Sequence, residues 1–158
     1  GDCLEGAIVL SVISEGMPLI YNGQEAGNPR RLAFFESDPI DWEPHPLGEL
    51  YRRLLALKHD NTALWNAAWG ARMVNVPNNA PNQVLSFVRQ NERDKVFGVF
   101  NFSERPLNVS FPESLHHGTY TDFFSGERVT FDASTRLELD FWGYRVFVRV
   151  DSEQRDKN

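Results

Sequence analysis

The stretch Gly16-Met17-Pro18-Leu19-Ile20-Tyr21-Asn22-Gly23-Gln24-Glu25 divides the chain. Gly16 ends whatever precedes it, and Pro18 disfavours helix at Met17. Leu19-Ile20-Tyr21 is an apolar run of a length that suits a buried strand. Asn22-Gly23 turns the chain and delivers Gln24 and Glu25 just past the strand end. In a sheet with helical crossovers, ligand-facing side chains sit there. A core strand closed by an ordinary turn fits the same residues.

On the N-terminal side, Leu4 to Ser14 reads as a helix. Asp2 can cap it, and Glu5 follows three residues later, as in a capping box. Leu4, Ala7, Ile8, Leu10, Val12 and Ile13 leave few polar positions, so the helix needs cover from a larger body or from another copy in an oligomer. On the C-terminal side, residues 26–46 are irregular, broken by Gly27, Pro29, Pro39, Pro44 and Pro46. They carry Arg30, Arg31, Glu36, Asp38 and Asp41. A second helix is predicted over 47–59, with Leu47, Leu50, Tyr51, Leu54 and Leu57 at helical spacing and Pro46 in its first turn. Glu49 and Arg53 are spaced to pair. Thr62-Ala63-Leu64-Trp65 adds a further turn.

From Ala71 onward the period becomes that of strands, predicted at 71–76, 83–90, 95–102, 106–111, 118–124, 127–131, 135–140 and 143–150. Asn91 to Asp94 and Ser125-Gly126-Glu127 read as hairpin connections. The run from Val96 to Phe102 is nearly all apolar and belongs at a sheet centre. Along the last strand Tyr144, Val146, Val148 and Val150 share one face, and Arg145, Phe147 and Arg149 the other. Short strands with regular turns imply an antiparallel β-sandwich of Greek-key type. A boundary is expected near 66–71, and the polar residues 151–158 are expected to fray.

The opening stretch resembles the segment around the last barrel strand of the α-amylase family of glycoside hydrolases, G-x-P-x-x-Y-x-G-x-E. Gly16, Pro18, Tyr21, Gly23 and Glu25 match it. Ile40-Asp41-Trp42 and the all-β C-terminus after a helix are also similar to that family. The resemblance implies a mainly β chain: residues 1–66 as the end of a (β/α)8 barrel, then a C-terminal sandwich over 71–150. A whole barrel needs about 250 residues, so 158 residues cannot hold one.

The composition is that of a globular protein, with 41% hydrophobic and 24% charged residues. Aromatics reach 13%, including 12 Phe, which favours a β-rich core or a stacking surface. The net charge of -6 and the absence of a basic block argue against nucleic-acid binding. Ala7 to Ile13 is too short an apolar run to span a membrane. Gly1-Asp2 is not the basic start of a leader. Cys3 is the single cysteine, so no disulfide forms within the chain, and it is expected as a small core residue.

A retaining glycosidase needs two carboxyl groups about 5 to 5.5 Å apart. The family's catalytic motifs, G-x-R-x-D for the nucleophile, the acid/base glutamate strand and N-H-D, do not occur in this sequence. The resemblance therefore implies an accessory region of an enzyme acting on α-glucans, without catalytic residues of its own and inactive alone. Tyr21, Asn22, Glu25, Asp41 and Trp42 would line the parent cleft, or Trp42 would instead anchor its loop onto the helix. Glu25 would accept from sugar hydroxyls, pair with Arg30 or Arg31, or hold a buried turn. The implied partners are an α-glucan or maltooligosaccharide and the missing barrel, with no nucleic acid or membrane. The second reading is a starch-binding module built on exposed aromatic residues. Trp65 and Trp69 at the junction, and Trp142 at a strand entrance, are expected to pack. His45, His59, His116 and His117 lack metal-ligand spacing; no metal or other cofactor is expected, and calcium sites of the family draw ligands from regions this chain does not contain.

Overall fold

The computed structural model describes residues 3–33 and 35–150. Asp2, the expected helix cap, and the tail 151–158 lie outside the described residues. The element order is α1 (Leu4–Ile13), α2 (Pro46–Asp60), two 3-10 turns (Thr62–Leu64 and Ala67–Trp69) and eight strands. The strands are β1 (Met73–Asn75), β2 (Val84–Gln90), β3 (Lys95–Asn101), β4 (Leu107–Val109), β5 (Gly118–Asp122), β6 (Arg128–Phe131), β7 (Leu137–Leu139) and β8 (Tyr144–Arg149). Each lies inside one predicted segment.

Six strands form an antiparallel sheet in the order β1-β2-β3-β8-β5-β6, while β4 pairs with β7 in a second, two-stranded sheet. β8 returns after four intervening strands to lie between β3 and β5, the long-return pairing of a Greek key. β3 is central and buried along its whole length. The alternation read in β8 sorts the core. Val146 faces the helices with Phe87, Val96 and Phe100, whereas Phe147 faces the second sheet with Val88, Phe97 and Val99. Phe97 sits at the middle of the second core, edge-on to Phe111 and Phe131 at ring separations of 5.3 Å.

The helices form the layer opposite the small sheet. Ile8, Val9, Val12 and Ile13 of α1 and Leu47, Tyr51 and Leu54 of α2 join the core cluster that includes Phe87, Phe100 and Val146. The cover expected for α1 comes in part from within the chain: Ile8, Val9, Val12 and Ile13 are buried against α2 and the sheet, while Leu4, Ala7 and Ser11 face out.

Three expectations fail for identifiable reasons. Leu19-Ile20-Tyr21 is not a strand, and Leu19 is 87% exposed. A strand needs a neighbour to satisfy its backbone groups, and among the described residues no strand pairs with this run. Cys3 is exposed, because it precedes α1 and its first core-facing residue. Glu49 pairs with Arg52, at 2.6 Å, rather than with Arg53. Arg53 reaches the sandwich, donating to the Phe123 carbonyl at 2.9 Å and lying over the Phe123 ring.

Two buried cations tie helices to sheet. Arg89 on β2 donates to the carbonyls of Ser14 (2.8 Å), Trp65 (2.9 Å) and Ala71 (2.8 Å). Lys58 on α2 donates to the carbonyls of Val12 (3.2 Å) and Leu64 (2.7 Å). Both therefore meet the C-terminal end of α1, where unpaired carbonyls and the helix dipole favour positive charge. Burial pushes the Lys58 ammonium down to about 8, with the Arg89 charge adding to the effect.

Candidate functional site

Residues 21–28 form a compact knot. The backbone N–H groups of Gln24, Ala26, Gly27 and Asn28 donate to the carbonyls of Tyr21, Gly23, Gln24 and Gly23, respectively. Gly23 holds a φ of 90° with Ile40 packed against it, a backbone that only glycine adopts easily. The knot rests on the start of α2, where His45 caps the helix by accepting from the Leu47 N–H at 3.2 Å. This brings the expected site residues to one region: the turn with Tyr21, Asn22 and Glu25 adjoins the segment with Ile40, Asp41 and Trp42. Tyr21, Asn22, Asp41 and Trp42 are all exposed.

Glu25 is different. Its Oε2 is buried and has no hydrogen-bond partner among the described residues. Neither arginine read as its partner fills that role in any contact seen here. Arg30 instead meets Asp38 at 3.5 Å and the Pro39 carbonyl at 3.1 Å. The Tyr51 hydroxyl is raised, first by burial and then by the Glu25 charge. Among the described residues no group of three or more His, Cys, Asp or Glu side chains is placed to hold a metal ion. No helix among them is long and apolar enough to cross a membrane.

The tryptophans divide. Trp65 is partly covered, and its Nε1 donates to the His59 carbonyl at 2.9 Å. Trp142 is half-buried at a φ of 54° and its N–H donates to the Ser103 carbonyl. Trp69, expected to pack at the junction, is 79% exposed. The cause is local. The turn Asn66-Ala67-Ala68-Trp69-Gly70 folds back on itself, with Ala67 at a φ of 50° and the Gly70 N–H donating to the Ala67 carbonyl. A Cβ at position 70 would lie 1.8 Å from the Trp65 carbonyl oxygen, so only glycine fits there. Arg89 pins both ends of this turn, at Trp65 and Ala71, and Trp69 is left on the outside.

His116 and His117 occupy a loop, as their adjacency implied. The His116 ring is fully buried among Phe97, Phe111 and Phe131. Neither of its nitrogens has a partner among the described residues. Burial pushes this imidazole down to about 4, assisted by His117 and Lys95. Sequence reasoning missed these buried polar groups. Arg89 had one legible signal: it continues the helix-facing alternation of Leu85 and Phe87.

A family model described as alpha amylase, C-terminal all-beta domain, matches residues 75–154. Alpha-amylase 2 of Dictyoglomus thermophilum is 23% identical and is covered over 23% of its length by 85% of this chain. The fold is shared with the noncanonic maltogenic alpha-amylase AmyB from Thermotoga neapolitana, at a TM-score of 0.78 and 18% identity, covering 95% of this chain and 37% of that one. It is shared too with CldA, a cyclomaltodextrin glucanotransferase with a three-domain ABC distribution, at a TM-score of 0.70 and 20% identity over 95% of this chain and 32% of that one. The chain thus spans about a quarter to a third of the length of these relatives. With the family model covering the sandwich strands, and the same architecture present in these enzymes, the chain belongs to the alpha amylase C-terminal all-beta domain family.

Proposed function

We propose that this chain is the C-terminal, accessory region of a longer α-glucan-active enzyme, inactive alone. In this reading residues 1–66 close a catalytic barrel and residues 71–150 form a sandwich that braces it. The supporting observation is apolar surface on the N-terminal segment: Met17, Leu19, Tyr21 and Trp42 are all exposed. Exposed apolar surface gathered on one segment marks a face that another body covers. The relatives are about three to four times longer and supply such a body. Tyr21, Asn22, Glu25, Asp41 and Trp42 then stand at the cleft wall, and the buried Glu25 oxygen accepts from a donor on the barrel. The three carboxylates for double displacement come from the barrel as well.

The test is chromatography of maltooligosaccharides incubated with the 158-residue chain, together with binding of an apolar dye. No hydrolysis is expected, and Leu19→Ser with Trp42→Ala should lower dye binding. Hydrolysis by the chain itself, at a rate tracking its concentration, would refute the accessory reading.

A further inference from the structure

Along α2 runs a groove of about 490 Å³ with mostly apolar walls, supplied by Met17, Leu55 and Trp65. Lys58, His59 and Asn66 line it too. Lys58 is the unusual member. It is 8% exposed, and among the described residues no carboxylate pairs with it. An ammonium has three N–H donors. Two of them reach carbonyls, of Val12 at 3.2 Å and of Leu64 at 2.7 Å, and the third has no partner among the described residues. The Arg89 guanidinium donates to the same Leu64 carbonyl at 3.3 Å, so two positive charges share one acceptor. A neutral amine suits this setting better, because its two N–H groups meet both carbonyls and its lone pair is left over. Burial and the Arg89 charge act in that direction, bringing the ammonium down to about 8.

The two polar neighbours complement that amine. The Nδ1 of His59 is paired with the Asp60 carboxylate at 2.8 Å, which leaves Nε2 to carry a proton. The Oδ1 of Asn66 is buried and lacks a partner among the described residues. A buried acceptor of this kind costs free energy until a donor reaches it. A nucleophile, a proton carrier and an acceptor in need of a donor therefore stand on the apolar walls of one groove.

We propose that Lys58 is a carbonyl-reactive amine that forms an imine with a small apolar aldehyde seated in this groove. The nitrogen lone pair adds to the carbonyl carbon, and the C=O electron pair moves onto oxygen. His59 Nε2 passes one proton from nitrogen to that oxygen, giving a carbinolamine whose hydroxyl donates to Asn66 Oδ1. A second proton, drawn from solvent through His59, lets the hydroxyl leave as water. The C–O bond breaks, C=N forms, and the N–H that remains stays on the Leu64 carbonyl. The step needs no oxidant or reductant. The ligand class follows from the walls: Met17, Leu55 and Trp65 favour an apolar or aromatic body, and a single aldehyde group meets all three polar side chains. The site does not rest on the accessory reading, and its test leaves that reading untouched.

The 158-residue chain, incubated with benzaldehyde and sodium cyanoborohydride and mapped by peptide mass spectrometry, tests this. Lys95 is the internal control. It is buried, its ammonium is also lowered by burial, and it donates to the Leu115 and His117 carbonyls, but it does not line the groove. Lys58 should gain the benzyl group about tenfold faster than Lys95 or more, along a pH profile that rises near pH 8. Leu55→Trp should fill the groove and slow the labelling of Lys58 several-fold. Leu55 is 39% exposed, so the amide spectrum of that variant should match the parent's outside the groove. His59→Gln should slow the labelling without moving the midpoint of the profile. A Lys58 that stays unmodified, or that reacts no faster than Lys95, would overturn the site. So would a labelling rate in Leu55→Trp equal to that of the parent chain.

Discussion

His116 shows how much one residue can set. It is fully buried with aromatic rings around it, and the charged or titratable neighbours facing it are Lys95 and His117. Among the described residues no carboxylate pairs with either ring nitrogen to compensate a proton on it. The folded value of about 4 lies below the ordinary histidine value of about 6.5. Between those limits the unfolded chain holds a proton that the folded chain refuses. Stability therefore rises with pH through this window and is lost as pH falls from about 6.5 toward 4. The shift corresponds to a loss on the order of 3 kcal/mol. His116→Phe should flatten that part of the stability curve, measured by urea unfolding at several pH values. An unchanged slope would assign the acid sensitivity to another group. None of this was legible in the sequence, where His116-His117 reads as an ordinary polar loop. The candidate site was half legible: motif spacing marked Tyr21, Asn22, Glu25, Asp41 and Trp42, and the structure brings the two segments that carry them together. Arg89 carried no motif, because its carbonyl partners meet only when the 65–71 turn folds back beside α1.

At the scale of elements, periodicity was a good guide wherever an element's partners are inside the chain. All eight strands lie within their predicted segments, and both helices were found close to their observed limits. Each finds a neighbour to bury its apolar side: β3 is buried throughout because sheet neighbours flank it and layers cover both faces. The failure at Leu19-Ile20-Tyr21 follows the same rule in reverse. Its pattern is that of a strand, but among the described residues no strand lies beside it to complete a ladder. α2 is the element to test, since it bridges the irregular N-terminal segment and the sandwich. Leu54 is fully buried in the cluster that also holds α1 and Phe100. Leu54→Ala should destabilise the fold by about 2 to 5 kcal/mol, read as a lower urea midpoint at an unaltered slope. A change under about 0.5 kcal/mol, the range of surface substitutions, would place α2 outside the core.

For the whole molecule, the decisive contact is the pair of cations at the junction. Arg89 reaches from the sandwich to α1 and the 65–71 turn, and Lys58 reaches from α2 to α1 and Leu64. Three segments distant in sequence are thereby made to unfold together. Arg89→Met should take the donor from the partly buried carbonyls of Ser14, Trp65 and Ala71, each costing up to about 1 to 3 kcal/mol. The helical layer should then melt before the sheet. Urea curves followed by far-UV circular dichroism and by tryptophan emission should coincide for the unaltered chain and separate for the variant; coincidence in both would mean that hydrophobic contact alone couples the layers. The partners chosen by these cations carry one more meaning. A bond between a buried cation and neutral carbonyl dipoles offers dissolved ions little to compete for, unlike an exposed pair such as Glu49 and Arg52. The joint between helices and sheet is therefore built for indifference to brine: ionic strength that dissolves the surface pairs leaves the seam closed.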